Sequence, residues 1–214
     1  MRKRRTRRSL FARIVTFVGV VSILTGLGFL GYVGWQYFGT NIVSKQEHEK
    51  VTQQLVTNWD DGIDGNAIGL LRVDRFGKDY EVPIVPGFGD KALASGVGWH
   101  EKGEAPGEIG NFAIAAHRVT HGEPFRDFLK LRKGDKVEVE TRTRIYTYEL
   151  RDNGTDRVLD FSQGWVLDQV PGGKGEVATK AVLTMLTCSE LFHTRNRNIV
   201  FGDLIDTQKK GSSS

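Results

Sequence analysis

No charged residue occurs between Ile14 and Phe38, a stretch rich in Val, Leu, Ile, Phe and Gly. At about 1.5 Å per residue it is long enough to cross a hydrocarbon core of about 30 Å with some tilt. Trp35 and Tyr37 lie near its far end, where aromatic rings favour the membrane interface. A cleaved signal peptide would have a shorter apolar region ending in small residues, and the bulky Tyr32–Phe38 end argues against one. Ahead of the run stand Arg2, Lys3, Arg4, Arg5, Arg7, Arg8 and Arg13, with no acid among them. The formal net charge of +4 therefore becomes −3 once those seven positive charges are set aside. The basicity is an N-terminal address, not a nucleic-acid surface. It predicts a cytoplasmic N-terminus and a single-pass cell-membrane protein whose later residues lie outside.

This gives a basic tail over 1–13, a transmembrane helix over 14–38 and a juxtamembrane stalk over 39–65. In the stalk Val51, Leu55, Val56 and Trp59 have helix-like spacing, yet the segment reads as a solvated spacer. From about Asn66 the pattern changes to short apolar or alternating runs separated by Gly, Asp and Pro. Ile68–Val73, Tyr80–Val85, Phe112–His117, Lys136–Thr141, Arg144–Leu150, Ala181–Thr187 and Asn198–Ile205 read as strands. Lys91–Ala94 begins a short helix, and Pro124–Leu131 predicts another with Phe125, Phe128 and Leu129 on one face. Seven or eight short strands with minor helices predict an all-β, closed or nearly closed barrel over 66–207, with a disordered tail over 208–214.

Cys188 is the only cysteine and cannot form an internal disulfide. In an oxidising exterior a lone thiol is more readily explained as reactive than as structural. It ends the run Leu183-Thr184-Met185-Leu186-Thr187-Cys188, with Arg195 and Arg197 following. A second apolar strand ends at His117-Arg118. A thiolate attacking a carbonyl needs a proton carrier and donors for the oxyanion, which imidazole and guanidinium supply. Alternation puts Arg195 and Arg197 on the same side of a strand and does not separate them. His121 stands four residues after His117, but on a strand entering a loop that spacing is not a ligand pair. No metal and no cofactor is expected. His193 is the substitute base, and Trp99 and Trp165 read as packing residues.

The block Leu183–Cys188 followed by Arg197 resembles the T-L-T-C…R signature of sortases. Asn111-Phe112-Ala113-Ile114-Ala115-Ala116-His117-Arg118, leading to Gly122 and Phe125, resembles the segment around the sortase histidine. Lys133–Glu140, Tyr146–Tyr148 and Trp165–Asp168 are similar to further sortase segments. The order His, Cys, Arg is that of the family, and the likeness is greatest to class E sortases of high-GC Gram-positive bacteria. The resemblance implies an eight-stranded sortase barrel, with short helices and one preceding transmembrane helix. It also implies a cysteine transpeptidase cutting an LPXTG or LAXTG sorting signal between Thr and Gly. Cys188 would carry the thioester, His117 would exchange protons, and Arg197, chosen over Arg195 on family spacing, would steady the oxyanion. Thr187 would shape the pocket, the Ser189 N–H would share the oxyanion, and His121 would bear on motif choice. The implied partners are surface proteins with a C-terminal sorting signal and a peptidoglycan precursor amine. Leu186-Thr187-Cys188-Ser189-Glu190 and His121 depart from the class E pattern, which leaves Pro or Ala at the second motif position open. The competing readings are another cysteine acyltransferase of the wall and a non-catalytic anchored wall protein with Cys188 buried. An L,D-transpeptidase would carry Gly-Cys, and Thr187-Cys188 does not fit.

Overall fold

The computed structural model describes residues 10–61, 65–189 and 195–210. They fall into two compact units, Met1–Gly39 and Thr40–Ser214.

The first unit is helix α1, Leu10–Gly34, followed by a π-helical turn, Trp35–Gly39. Its apolar residues are exposed all around, among them Phe17, Leu24 and Phe29, the arrangement lipid requires of a spanning helix. The Thr16 and Thr25 hydroxyls donate to the Ala12 and Val21 carbonyls at 2.8 and 2.9 Å, so neither needs water. In the π-helical turn the Trp35 ring lies over Gly39, where a Cβ would come within 2.4 Å of it.

The second unit begins with helix α2, Thr40–Asp60. The sequence reading of a solvated spacer does not hold for it. Leu55 is buried against Ala67, Leu70 and Val85, with Val51 and Trp59 flanking it at four-residue spacing. Val56 lies off this face and is exposed. Lys210 sits over the Trp59 ring at 4.4 Å and also pairs with Glu140, which Arg72 holds from the other side. Burial works against charge on Glu140, but its bonds from Lys210 and Arg72 outweigh that and hold its carboxyl below the usual range.

The barrel strands are β1 Gly69–Val73, β2 Glu81–Pro86, β3 Val97–Trp99, β4 Gly110–Ala115, β5 Lys136–Glu140, β6 Arg144–Leu150, β7 Val158–Asp160, β8 Ala181–Cys188 and β9 Asn196–Lys209. Neighbours run β6-β5-β1-β2-β3-β4-β8-β9, and a β6–β9 pairing closes eight strands into the expected barrel. β7 is a ninth strand on the outer edge of β9. Short helix α3, Asp90–Ser95, joins the parallel pair β2 and β3. The other parallel pair, β4 and β8, brings together strands far apart in sequence. Phe112, Ile114, Val137, Val139, Tyr148, Leu183, Met185 and Val200 fill the interior. A second apolar layer, Val166, Leu186, Ile199 and Phe201, lies on the opposite face of the β8–β9 sheet.

Pro124–Leu131 holds only a 3₁₀ turn, Phe128–Lys130. Phe125 and Phe128 are buried as expected but Leu129 is exposed, because the tighter 3₁₀ winding turns the third side chain away. Gln208 and Lys209, expected in the tail, end β9, and the Lys210 N–H donates to the Thr143 carbonyl at 2.9 Å. His193 and residues 211–214 lie outside the described residues.

Candidate active site

β4 and β8 are parallel, so both deliver their last residues to the same end of the barrel. Ala115 pairs with Leu186, and the Ala116 N–H continues the ladder to the Leu186 carbonyl at 3.3 Å. His117 lies just past the end of β4, between Ala116, whose carbonyl accepts from Thr187, and Arg118, which donates to the Cys188 carbonyl. On the other side of β8, Cys188 pairs directly with Arg197 of β9. Cys188 and Arg197 thus form a row across two adjacent strands, about 4.8 Å from strand to strand, with His117 at the chain end next to it.

Alternation gives the row its face. Ile114, Met185 and Val200 point into the barrel; Ala115, Leu186 and Ile199 join the outer apolar layer. Cys188 follows Leu186 by two residues and Arg197 precedes Ile199 by two, so both share the outer face; His117 follows Ala115 by two, past the end of β4. The thiol is free and half-buried, not sealed in the interior. Beneath the row, Ala115, Leu186 and Ile199 form an apolar floor that sequence reading did not single out. Trp165 packs against this layer, within a 3₁₀ turn, Gly164–Leu167. Buried Asn111 holds that turn by donating to the Val166 and Asp168 carbonyls at 2.9 and 3.0 Å, while Thr184 donates to Asn111 Oδ1 at 2.6 Å.

Arg118, to which the sequence assigned no role, is bonded to the strand that carries Cys188. Its Nε donates to the Cys188 carbonyl at 2.8 Å and an Nη to the Ser189 carbonyl at 2.9 Å. His117 leaves the ladder at the end of β4, so the chain turns and the Arg118 side chain reaches across to β8. Arg195 and Arg197 are separated as well. Arg195 is exposed, lies over the Phe161 ring at 4.8 Å, and its Nε donates to Asp160 at 3.0 Å. Its bonds, with those of Ser162, hold the Asp160 carboxyl well below the usual carboxylate range. Arg197 alone stands opposite Cys188.

Two other expected residues serve differently. Thr187 is buried on the barrel side, and its hydroxyl donates to the Ala116 carbonyl at 2.8 Å, tying β8 to the end of β4. The Ser189 N–H donates to the Asn196 carbonyl at 3.1 Å and is occupied by the ladder. His121 lies beside His117: its ring stacks on that of His117 at 4.5 Å between centroids and 24° between planes. Burial pushes the His121 imidazole below its ordinary pKa, and Asp90 opposes this. Such an arrangement can supply a nucleophile, a proton carrier and a permanent positive charge to a carbonyl lying along the apolar floor.

Residues 71–205 match the Sortase domain family. Sortase SrtE1 of Streptomyces coelicolor is 30% identical over 207 residues, which cover 90% of this chain and 58% of that protein. Sortase SrtE2 of the same organism is 28% identical over 230 residues, covering 97% of this chain and 88% of that one. The crystal structure of Sortase E1 from Streptomyces coelicolor with a tripeptide in the active site superposes with a TM-score of 0.59 at 31% identity, covering 70% of this chain and 94% of that one. With the barrel, the order of its strands and these matches together, the chain belongs to the sortase family.

Proposed function

We propose that this chain is a membrane-anchored cysteine transpeptidase of the cell surface. It cleaves an LPXTG- or LAXTG-type sorting signal between Thr and Gly and transfers the acyl group to an amine of a cell-wall precursor. What supports this reading is the Cys188–Arg197 pair on the outer face of the barrel, with His117 just past the end of β4 between residues bonded to Thr187 and to the Cys188 carbonyl. The tripeptide in the active site of the Streptomyces coelicolor relative supports a peptide ligand here.

Peptide lies along the floor of Ala115, Leu186 and Ile199 with its Thr carbonyl at Cys188. The sulfur attacks as thiolate, and the developing oxyanion is met by the Arg197 guanidinium, which stays charged throughout. The C–N bond breaks as His117 gives a proton to the Gly amine, leaving a thioester on Cys188. The incoming amine loses a proton to His117 as it attacks, and the thiolate departs. Thr187 and Arg118 fix the strand end, and His121 lines the route beside His117. The basic residues before α1 keep the N-terminus in the cytoplasm, which places the barrel outside.

The test is to incubate the full chain in detergent with LPXTG and LAXTG peptides plus hydroxylamine. Thr-hydroxamate is the expected product. No hydroxamate from any such motif would remove the transpeptidase assignment.

A further inference from the structure

The turn after His117 is strained. His121, Gly122 and Glu123 have φ of 53°, 80° and 55°, three successive residues in the left-handed region, two of them not glycine. A non-glycine residue persists there only where its surroundings enforce it. The loop is closed at its base by the Phe125 N–H on the His117 carbonyl at 2.9 Å.

What enforces the turn comes from α2. Asn41 Oδ1 accepts the Gly122 N–H at 3.0 Å. About two α2 turns further on, His48 is buried and lies so close to Gly122 that a Cβ there would be 2.6 Å from its Cε1. The His48 ring is fixed in turn by a bond to the Ala94 carbonyl of α3. Glycine is needed at 122 both for its φ and for this approach. The next residue back, His121, stacks on His117.

We infer that Asn41 and His48, on the helix that follows the membrane span in sequence, are positioning residues for the base: they hold the His121–Glu123 turn, and the His121 ring sets the orientation of His117. This rests on His117 being the proton carrier of the proposed reaction. The helix is then part of the catalytic apparatus, anchored to the barrel by Leu55 and Trp59 and reaching the active site through Gly122.

Asn41→Ala, His48→Ala and the double variant, each made in the full chain, test this. The readouts are histidine ring resonances from ¹³C-labelled protein and the kcat and KM of hydroxamate formation. Asn41→Ala is expected to move the His117 and His121 resonances and lower kcat roughly tenfold, with KM within about twofold, since small misplacement of a reacting group costs up to ~100-fold. The double variant loses little more than the worse single one, because both residues act through Gly122. Val56→Ser, on the exposed side of α2, changes nothing. Unmoved resonances, or losses that simply add, would overturn the inference. The resonances report without turnover, so an inactive unmodified chain would count against the function and leave this reading to be judged on its own.

Discussion

Cys188 and Arg197 are held by a ladder, whereas His117 is held by a loop. The first two are the last of seven successive β8–β9 pairs, and neither can shift without breaking the register of a closed barrel. His117 stands just past the end of β4, followed by a turn with three left-handed residues that α2 and α3 brace. Cys188 and Arg197 are therefore set by backbone geometry. His117, the proton carrier of the proposed reaction, is set by side-chain contacts, which can be tuned one by one. A group that gives up and takes back a proton in one cycle gains from an adjustable seat; a group that only opposes charge does not.

The sharpest break in this comparison is Cys188→Ala, expected to abolish hydroxamate formation while leaving the thermal midpoint within about 2 °C, since the thiol is half-buried on the outer face. A variant that unfolds would instead make Cys188 a packing residue. Next, Arg197→Lys should lose roughly 100-fold in kcat, because an ammonium does not reproduce the planar fork. Arg195→Ala should lose no more than about twofold, since Arg195 is spent on exposed Asp160. Equal losses would erase the distinction between the two arginines. Arg118→Met leaves the Cys188 and Ser189 carbonyls without their donors. It should lower kcat roughly tenfold with KM little changed, a split read by steady-state kinetics. A loss confined to KM would place Arg118 in substrate binding.

The smallest effect concerns pH. Burial depresses the pKa of His48, with Lys45 and His121 adding to this and Ala94 and Glu47 opposing it; burial likewise depresses His121. Both therefore bind protons more readily in the unfolded chain. Their stabilisation is complete above the unfolded value of about 6.5 and is lost as pH falls through the folded values. The lowered carboxylates Asp135, Asp160 and Glu140 act only in more acid solution. The thermal midpoint should thus fall between pH 7.5 and pH 5, and His48→Leu should flatten that slope. A midpoint that rises over the same interval would show that the loop is not seated on neutral imidazoles.

Much of the barrel was legible wherever a strand was long enough to show a period. Lys136–Glu140 and Arg144–Leu150 alternate, and Phe112–Ala115 and Leu183–Thr187 are continuous because both faces are covered, one by the interior and one by the layer of Leu186 and Ile199. β3 and β7 escaped because three residues carry no period. α2 showed its spacing at Val51, Leu55 and Trp59, but the surface that makes this spacing matter comes from β1 and β2. Arg118 gave no signal, since its partners are backbone carbonyls on a strand far along the chain.

By itself the sequence determined the long apolar helix, the β-barrel and the family: an uncharged apolar run and short strands with a period are written in local residue patterns. Only the tertiary structure decided which arginine faces the thiol, which face of the barrel carries Cys188, and that helix α2 reaches the loop after His117. Those are matters of register and contact between segments distant in the chain, and local residue preferences do not encode them.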